Sequence, residues 1–430
     1  MPAGPIFALT YLLLHEWLSV PVATLHLYSY AVAIAGVLLA YRFHTSRIFG
    51  SLVLLVLAQR ALEFFTDGRI PKSGPGLTAL EAISFLVPLN LLLLAYSRER
   101  GFTLGAWVPK LILLFVEAVF LAVICRPYPA PGSELFHGAF VSRSWFDWTG
   151  LPQSSLIATS VAIIGLLVHF VRTRHPLDAG FVWATVISAI ALGTGGTGRT
   201  PSGLFAAACL ILTLSILESS YRMAYYDELT GVPGRRAFNE ALLQLTQPYC
   251  VAVVDVDHFK KFNDTYGHDT GDDVLRMVAR KLADVTGGGK AFRVGGEEFN
   301  VLFAGKPAGD VQEHLERLRE AVELAEFRLR GSERRAEARG AERRRPRANR
   351  KSNHAAASHH LSGEQSFSVT VSIGFAEATD QQSDPAQVIA AADRALYDAK
   401  GMGRNRVVRY SRSNSRSQAK ARKKTSANLA

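Results

Sequence analysis

The rhythm of apolar and polar positions along this chain changes near its middle. Before residue 219, apolar runs lie near residues 24–41, 48–66, 78–96, 107–125, 155–171, 180–197 and 202–219. A helix needs roughly 20 apolar residues to cross a bilayer, so the runs predict an all-α transmembrane bundle of about seven helices. Loops bearing Gly, Pro or charge separate them, among them DGRIPKSGPG (67–76) and RPYPAPGSELF (126–136). Residues 5–20 are also apolar, but Glu16 and the short length predict an interfacial segment. The start lacks the positive n-region of a signal peptide. The Gly-rich stretch GTGGTGRTPSG (193–203) reads as the turn between the last two spans. No strand precedes it and no GK[ST] follows, so it is not a phosphate loop.

Beyond residue 219 the helix is predicted to continue through Tyr226 to a break at DELTGVPG (227–234). Period-two and buried apolar runs then alternate with amphipathic ones. They predict strand 249–256, a helix from about 270 to 285, strand 290–294, a turn at 295–298 and strand 299–303. Helix 309–329, strand 367–375, helix 385–399 and a last strand 405–410 follow. This β-α-β-β-α-β order is the α+β ferredoxin-like pattern with additions at its end.

Charge sharpens the division. Of 430 residues, 48 are Lys or Arg and 37 are Asp or Glu, a net charge of +11. Charged side chains make up about a tenth of residues 1–217 and about three tenths of the remainder, which excludes a single soluble domain. The excess positive charge sits in two stretches, an Arg-rich insertion at 332–362 and a tail at 411–430, each with net charge +6. Their low hydrophobicity predicts disorder, and the high pI is therefore no sign of a nucleic-acid-binding domain. Contact of these stretches with the anionic inner leaflet or with a nucleic-acid backbone is an open alternative to a solvated loop. Cys125, Cys209 and Cys250 lie in apolar runs without CxxC or metal spacing, and read as buried thiols.

Loop charge orients the spans. With the N-terminus outside, the inner loops carry Arg42 and Arg47, Arg98 and Arg100, and Arg172 and Arg174. The outer loops carry Arg69 and Lys72, Arg126 and Arg143, and Arg199, a mild bias that puts everything after residue 219 in the cytoplasm. Trp145 and Trp148 suit an aromatic belt at the outer interface. Ionisable residues within the spans are candidate sensor positions. Arg60 and Glu63 share a helical face, Glu63 and Glu81 fall towards the outer half, and Glu117 lies near mid-depth. They read either as interhelical pairs or as a ligand, ion or proton site. With no inverted repeat or pair of broken helices, a transporter is the weaker reading.

The second half carries the candidate chemistry. Asp255 and Asp257 end an apolar strand, where alternation sends both to one face and Val256 to the other, for presentation at a sheet edge. Glu297 and Glu298 follow Gly295 and Gly296 in a turn between two strands, where glycine permits close approach of a ligand. In the ferredoxin-like order the first strand and this hairpin are neighbours, so the carboxylates converge. Carboxylates without His or Cys select hard ions, Mg²⁺ or Mn²⁺, the usual companions of phosphates. Lys400 and Arg404 near the end of a late helix add cations suited to a polyphosphate.

These motifs in this order resemble the GGDEF family of diguanylate cyclases. The resemblance rests on DELTGVPGRRAF (227–238), VDVDHFKKFNDTYGHDTGDDVL (254–275), RVGGEEF (293–299), VTVSIGF (369–375) and ADRALYDAKGMGRN (392–405). It implies a nucleotidyl-cyclase-like domain that condenses two GTP into cyclic di-GMP and releases pyrophosphate. It also implies two Mg²⁺ (or Mn²⁺) per active site, bound by Asp255 and Glu297 with Glu298 nearby and the Val256 carbonyl assisting. Glu297 is further implied in deprotonating the attacking 3′-hydroxyl. Asn263 and Asp272 resemble the residues that read guanine; His258, Phe259 and Lys260 fall around the phosphates; Lys400 and Arg404 resemble the pair on the triphosphate.

Each domain holds one GTP, so the resemblance implies a homodimer, and a multi-pass protein of a bacterial inner membrane with its catalytic domain in the cytoplasm. The expected organisation is a sensor domain at 1–219, a linker at 220–234 and a catalytic domain at 235–410, with the Arg-rich insertion inside it and the basic tail after it. Where many members carry an RxxD product-inhibition motif, positions 286–289 read Thr-Gly-Gly-Gly, so that feedback is expected to be missing. A receptor that has lost turnover and a transporter with a fused regulator are the alternatives. A phosphodiesterase is disfavoured because no second catalytic domain follows residue 410.

Overall fold

Every one of the seven long apolar runs is a helix in the computed structural model, which describes residue 4 and residues 21–126, 149–325, 327–328, 366–379 and 384–411. The helices are α1 Val22–Arg42, α2 Ser46–Thr66, α3 Gly74–Tyr96, α4 Leu104–Ile124, α5 Gln153–Thr173, α6 Pro176–Gly193 and α7 Arg199–Tyr225. All seven are long and apolar enough to cross a membrane. Residues 5–20, Trp145 and Trp148, the 332–362 insertion and the chain beyond Ser411 lie outside the described residues.

The chain divides into two units, Met1–Arg222 and Met223–Ala430. In the first, α7 is buried along most of its length, whereas α4 buries only Leu121 and Ile124 and exposes Leu111, Phe115 and Val119. A helix that is apolar all round yet touches few neighbours suits a lipid-facing position. Leu52, Leu55, Leu91, Phe181, Phe205 and Leu212 are the large side chains at the centre of this unit.

The second unit is a five-stranded sheet flanked by helices. Its strands are β1 Tyr249–Val256, β2 Lys290–Arg293, β3 Glu298–Ala304, β6 Val371–Glu377 and β7 Val407–Arg409, in the order β2-β3-β1-β6-β7. A separate short pair joins β4 Phe327–Arg328 to β5 Ser366–Phe367. The helices are α8 Arg235–Leu243, α9 Phe259–Tyr266, α10 His268–Ala283, α11 Ala308–Glu323 and α12 Pro385–Gly401. β1 is antiparallel to both β3 and β6, and β7 is parallel to β6.

The expected ferredoxin-like order holds, with four differences. β1 is the central strand, not an edge, which explains why YCVAVVDV is buried throughout: helices cover both faces. The predicted helix at 270–285 is preceded by α9, and α8 is a further short helix. The predicted helix 309–329 stops at Glu323, and Phe327–Arg328 pair as a strand instead. The predicted strand 367–375 is interrupted before Val371, where the Thr370 carbonyl accepts from Asp257 N.

Alternation along β1 feeds two cores. Cys250, Ala252, Val254 and Val256 pack with Phe299, Phe303 and Ile373 on the face of α10 and α11. Tyr249, Val251 and Val253 pack with Phe292, Val388 and Leu396 on the face of α8 and α12. On that second face α12 lies so close to β6 that a Cβ on Gly374 would stand 2.0 Å from Leu396 N. The next position on the same face of β1 is Asp255.

Candidate active site

Asp255 therefore points toward α12, and Lys400 in the last turn of that helix reaches its Oδ1 at 2.8 Å. Across the ladder Asp255 pairs with Glu298, the first residue of β3. The turn before β3 closes through Val294 N and Gly295 N, which both donate to the Glu298 carbonyl at 3.1 and 3.2 Å. Val256 N donates to the Glu297 carbonyl at 3.4 Å, so the turn is tied back to the end of β1. Sequence thus brings Asp255, Glu297 and Glu298 to one place, with Lys400 as the cation against them.

The electrostatics follow from that crowding. Burial pushes the Asp255 carboxyl above the usual carboxylate range; Lys400 opposes this, while Glu298 and Asp257 add to it. Burial and the neighbouring Asp255 charge push Glu297 the same way, with Lys400 opposing and Glu298 adding. Burial first and then Glu298 raise Asp393 on α12. Among the described residues no three His, Cys, Asp or Glu side chains stand close enough to enclose a metal as they are. The donor set still fits a hard divalent cation, because it consists of oxygen atoms whose mutual repulsion such a charge would relieve.

The remaining predicted positions are spread around this cluster. His258 sits in the left-handed region (φ 57°) between β1 and α9, and its side chain is exposed, as is that of Lys260. Phe259 is 6% exposed and belongs to the core, so its ring packs under the strand end and only its backbone is left for a phosphate. Asn263 on α9 has a buried Oδ1 without a hydrogen-bond partner, and it lies against Gly271 of α10, beside half-buried Asp272. A Cβ at Gly271 would fall 1.8 Å from that oxygen, so the approach of α9 to α10 requires glycine there. Arg404 follows α12 in the left-handed region, at φ 65°.

Asp257 departs from expectation. It is 7% exposed and its carboxylate accepts from Ser372 Oγ, Thr370 Oγ1 and Asn405 N, so it is engaged within the protein and not presented beside Asp255. Asp227 and Arg293, which no pattern of single residues singles out, also stand at the hairpin. Arg293 Nη1 donates to Asp227 Oδ2 at 2.7 Å, and its Nη2 donates to the Gly296 carbonyl at 2.6 Å. Thr230 adds its N–H and hydroxyl to the same Asp227 oxygen. The ends of DELTG and RVGGEEF carry these two charges; their opposite sign was the available signal.

In the first unit Arg60, Glu63 and Glu117 have side-chain partners. Arg60 Nη1 meets Glu63 Oε2 at 2.7 Å, and Gln59 Nε2 donates to Glu63 Oε1 at 3.2 Å. His26 on α1 brings Nε2 to within 3.0 Å of Glu63 Oε1 and 2.9 Å of Ser202 Oγ on α7. Asn90 Nδ2 donates to Glu117 at 2.8 Å. Glu81 is buried on α3, and its carbonyl accepts from Ser155. His26 and Ser202 were not among the predicted positions, because a lone His and Ser in apolar runs give no pattern.

Comparison with known proteins converges on the second unit. The family model "Diguanylate cyclase, GGDEF domain" matches residues 224–339 and 334–406. Over 202 residues the chain is 34% identical to a probable diguanylate cyclase, DgcT, of Escherichia coli, covering 45% of this chain and 37% of that one. It is 32% identical over 200 residues to the response regulator PleD of Caulobacter vibrioides, with the same coverage. The chain thus spans little more than a third of the length of these relatives. A solved structure of the coiled coil and GGDEF domain of DgcB from Caulobacter crescentus, in complex with c-di-GMP, aligns at 32% identity with a TM-score of 0.36. It covers 45% of this chain and 89% of that one.

Proposed function

We propose, from the premise that residues 224–406 form a GGDEF domain, that this chain is a membrane-bound diguanylate cyclase condensing two GTP into cyclic di-GMP and pyrophosphate. The observation that carries the proposal is the pairing of Asp255 with Glu298 at the start of an intact Gly295-Gly296-Glu297-Glu298-Phe299 turn, with Lys400 beside it. Asp255, Glu297, Glu298 and the Val256 carbonyl are the groups that would hold two Mg²⁺ or Mn²⁺. Such ions would supply charge neutralisation at the polyphosphate and a more acidic 3′-hydroxyl.

The chain's own residues do the rest. Lys400, which now pairs with Asp255, is the cation placed to meet polyphosphate oxygen, and Arg404 stands four residues further on. His258, Lys260 and the backbone of Phe259 flank the phosphates. Asn263 and Asp272 offer the acceptors that guanine N1–H and N2–H₂ need, and the orphaned Oδ1 of Asn263 supports this reading. Glu297, raised by burial and by Asp255, is the group suited to take the proton of the attacking hydroxyl. One site holds one GTP, so two copies must face each other.

The seven apolar helices support placement in a bacterial inner membrane with the second unit in the cytoplasm. The helical unit then regulates the cyclase through α7, which contacts His26 near its start and runs unbroken to Tyr225. The basic segments 332–362 and 411–430 carry the charge that anionic lipid attracts.

The test is the full chain in detergent with GTP and Mg²⁺, beside Glu297→Ala. Cyclic di-GMP from the parent, about a hundredfold less from the variant, and none after chelation are expected. GTP binding without product would instead support the receptor reading.

A further inference from the structure

Asp255 and Asp257 are chemically alike and two residues apart, yet their surroundings differ. Asp255 faces Lys400 and the hairpin. Asp257 Oδ1 accepts from Ser372 Oγ at 2.7 Å, and its Oδ2 accepts from Thr370 Oγ1 at 2.8 Å and from Asn405 N at 3.1 Å. At 7% exposure, a carboxylate filled by three donors holds protein in place.

The third donor is the informative one. Asn405 lies in the elbow between α12 and β7, where Gly403, Arg404 and Asn405 have φ values of 112°, 65° and 45°. Two successive non-glycine residues in the left-handed region persist only where the surroundings hold them. The Asn405 side chain supplies that hold on the far side. Its Oδ1 accepts from Arg319 Nη1 at 2.9 Å and its Nδ2 donates to Glu323 Oε1 at 2.7 Å, both on α11. Arg319 is itself fixed by Glu316 at 2.8 Å and Glu323 at 2.5 Å. The elbow is thus fastened to β1 through Asp257 and to α11 through Arg319 and Glu323. The residues it presents are Lys400 and Arg404.

We propose that Asp257 and Asn405 are positioning residues that set Lys400 and Arg404 for the polyphosphate of the substrate, and that Asp257 is not a metal ligand. The proposal rests on the GTP reading above. Long cationic side chains lose rotamer freedom on binding, and an anchored elbow reduces that loss before the nucleotide arrives. Loosening it raises the GTP concentration required and leaves the chemical step nearly alone.

The experiment uses the full chain in detergent with Asn405→Ala, Asn405→Gly and Asp257→Asn. KM, kcat and the Mg²⁺ activation midpoint are measured, together with calorimetric binding of a non-hydrolysable GTP analogue. Asn405→Gly keeps the backbone N–H on Asp257 and suits the left-handed φ, so it removes only the side-chain clamp. All three variants are expected to raise KM and the analogue Kd about tenfold, the scale of one lost charge-assisted hydrogen bond, with kcat within about threefold. The Mg²⁺ midpoint stays at the parental value. A tenfold shift of that midpoint in Asp257→Asn with parental analogue binding would make Asp257 a metal ligand and overturn the assignment. Parental KM and Kd in Asn405→Gly would show that the elbow needs no clamp. A parent that binds no guanine nucleotide overturns the GTP reading with it, whereas a binding parent matched by its variants overturns the clamp alone.

Discussion

Replacing Lys400 by Ala removes the cation that lies 2.8 Å from Asp255 Oδ1. Breaking a fully buried ion pair costs about 3–5 kcal/mol, but Lys400 is 34% exposed while Asp255 is 7% exposed, so about 2 kcal/mol is the reasonable figure. That loss has a definite pH profile. The Asp255 carboxyl is already raised by burial, with Lys400 as its main counterweight. Without the lysine it rises further. A raised carboxyl means that the folded state holds the proton longer than the unfolded chain does. Stability therefore falls as pH rises from the ordinary Asp value of about 4 up to the folded pKa, and levels above it. The variant descends further than the parent, so the gap between them is small near pH 4 and grows towards pH 8. Both cores of the second unit are drawn from residues 232–410, so the fragment Met223–Ala430 carries its own core and serves for urea unfolding in chelator. A gap that stays constant from pH 4.5 to 8, or widens towards acid, would refute the reasoning.

Arg293→Met should cost about 2 kcal/mol in the same assay, since it strips Asp227 of an ion pair at 2.7 Å and leaves the Gly296 carbonyl without its donor. Burial pushes Asp227 up, but Thr230 and Arg293 outweigh it and hold the carboxyl below the usual range. Its contribution is therefore present above the ordinary Asp value and lost as pH falls through the lower folded one, so this gap closes only in stronger acid. Gly374→Ala should abolish soluble expression of the fragment or lower its unfolding midpoint beyond reach, because the new Cβ meets α12 backbone at 2.0 Å. Gly271→Ala sets a Cβ against the Asn263 amide and 3.2 Å from the Phe259 ring, so it should raise KM for GTP about tenfold and also lower the urea midpoint.

What the sequence disclosed depended on how far apart the cooperating residues lie. The seven apolar helices are a property of consecutive residues, and their ends fall within a few positions of the predicted runs. The strands of the sheet were legible for the same reason. α8 and α9 were not: FKKFNDTY sets Phe259, Phe262 and Tyr266 at helical spacing, but stretches of eight or nine residues are shorter than the window over which a helical period stands out. The central position of β1 is set by β3 and by the more distant β6, and the break before Val371 by Asp257, 113 positions upstream of Thr370. Asp257 is the clearest case. Within VDVDHF it is indistinguishable from Asp255, and only Thr370, Ser372 and Asn405, 113 to 148 positions downstream, make it structural.

The segment after α7 constrains how regulation of the proposed cyclase is able to work. Gly234 N donates to the Tyr225 carbonyl at 2.7 Å, so the last residue of α7 is bonded to the residue before α8. Asp227 N donates to the Val232 carbonyl, and Arg293 N to the Pro233 carbonyl. With the Asp227–Arg293 pair, residues 225–234 form a closed turn fastened to β2, two hydrogen-bonded steps from Gly296. A turn held this way does not absorb a rotation or shift of α7 as a flexible linker would. Within the second unit the turn, β2 and the Gly296 hairpin are thus joined by hydrogen bonds. Under the proposed reading, in which two GTP-loaded copies must meet, a regulatory signal should therefore alter the rate of joining while leaving nucleotide affinity in place.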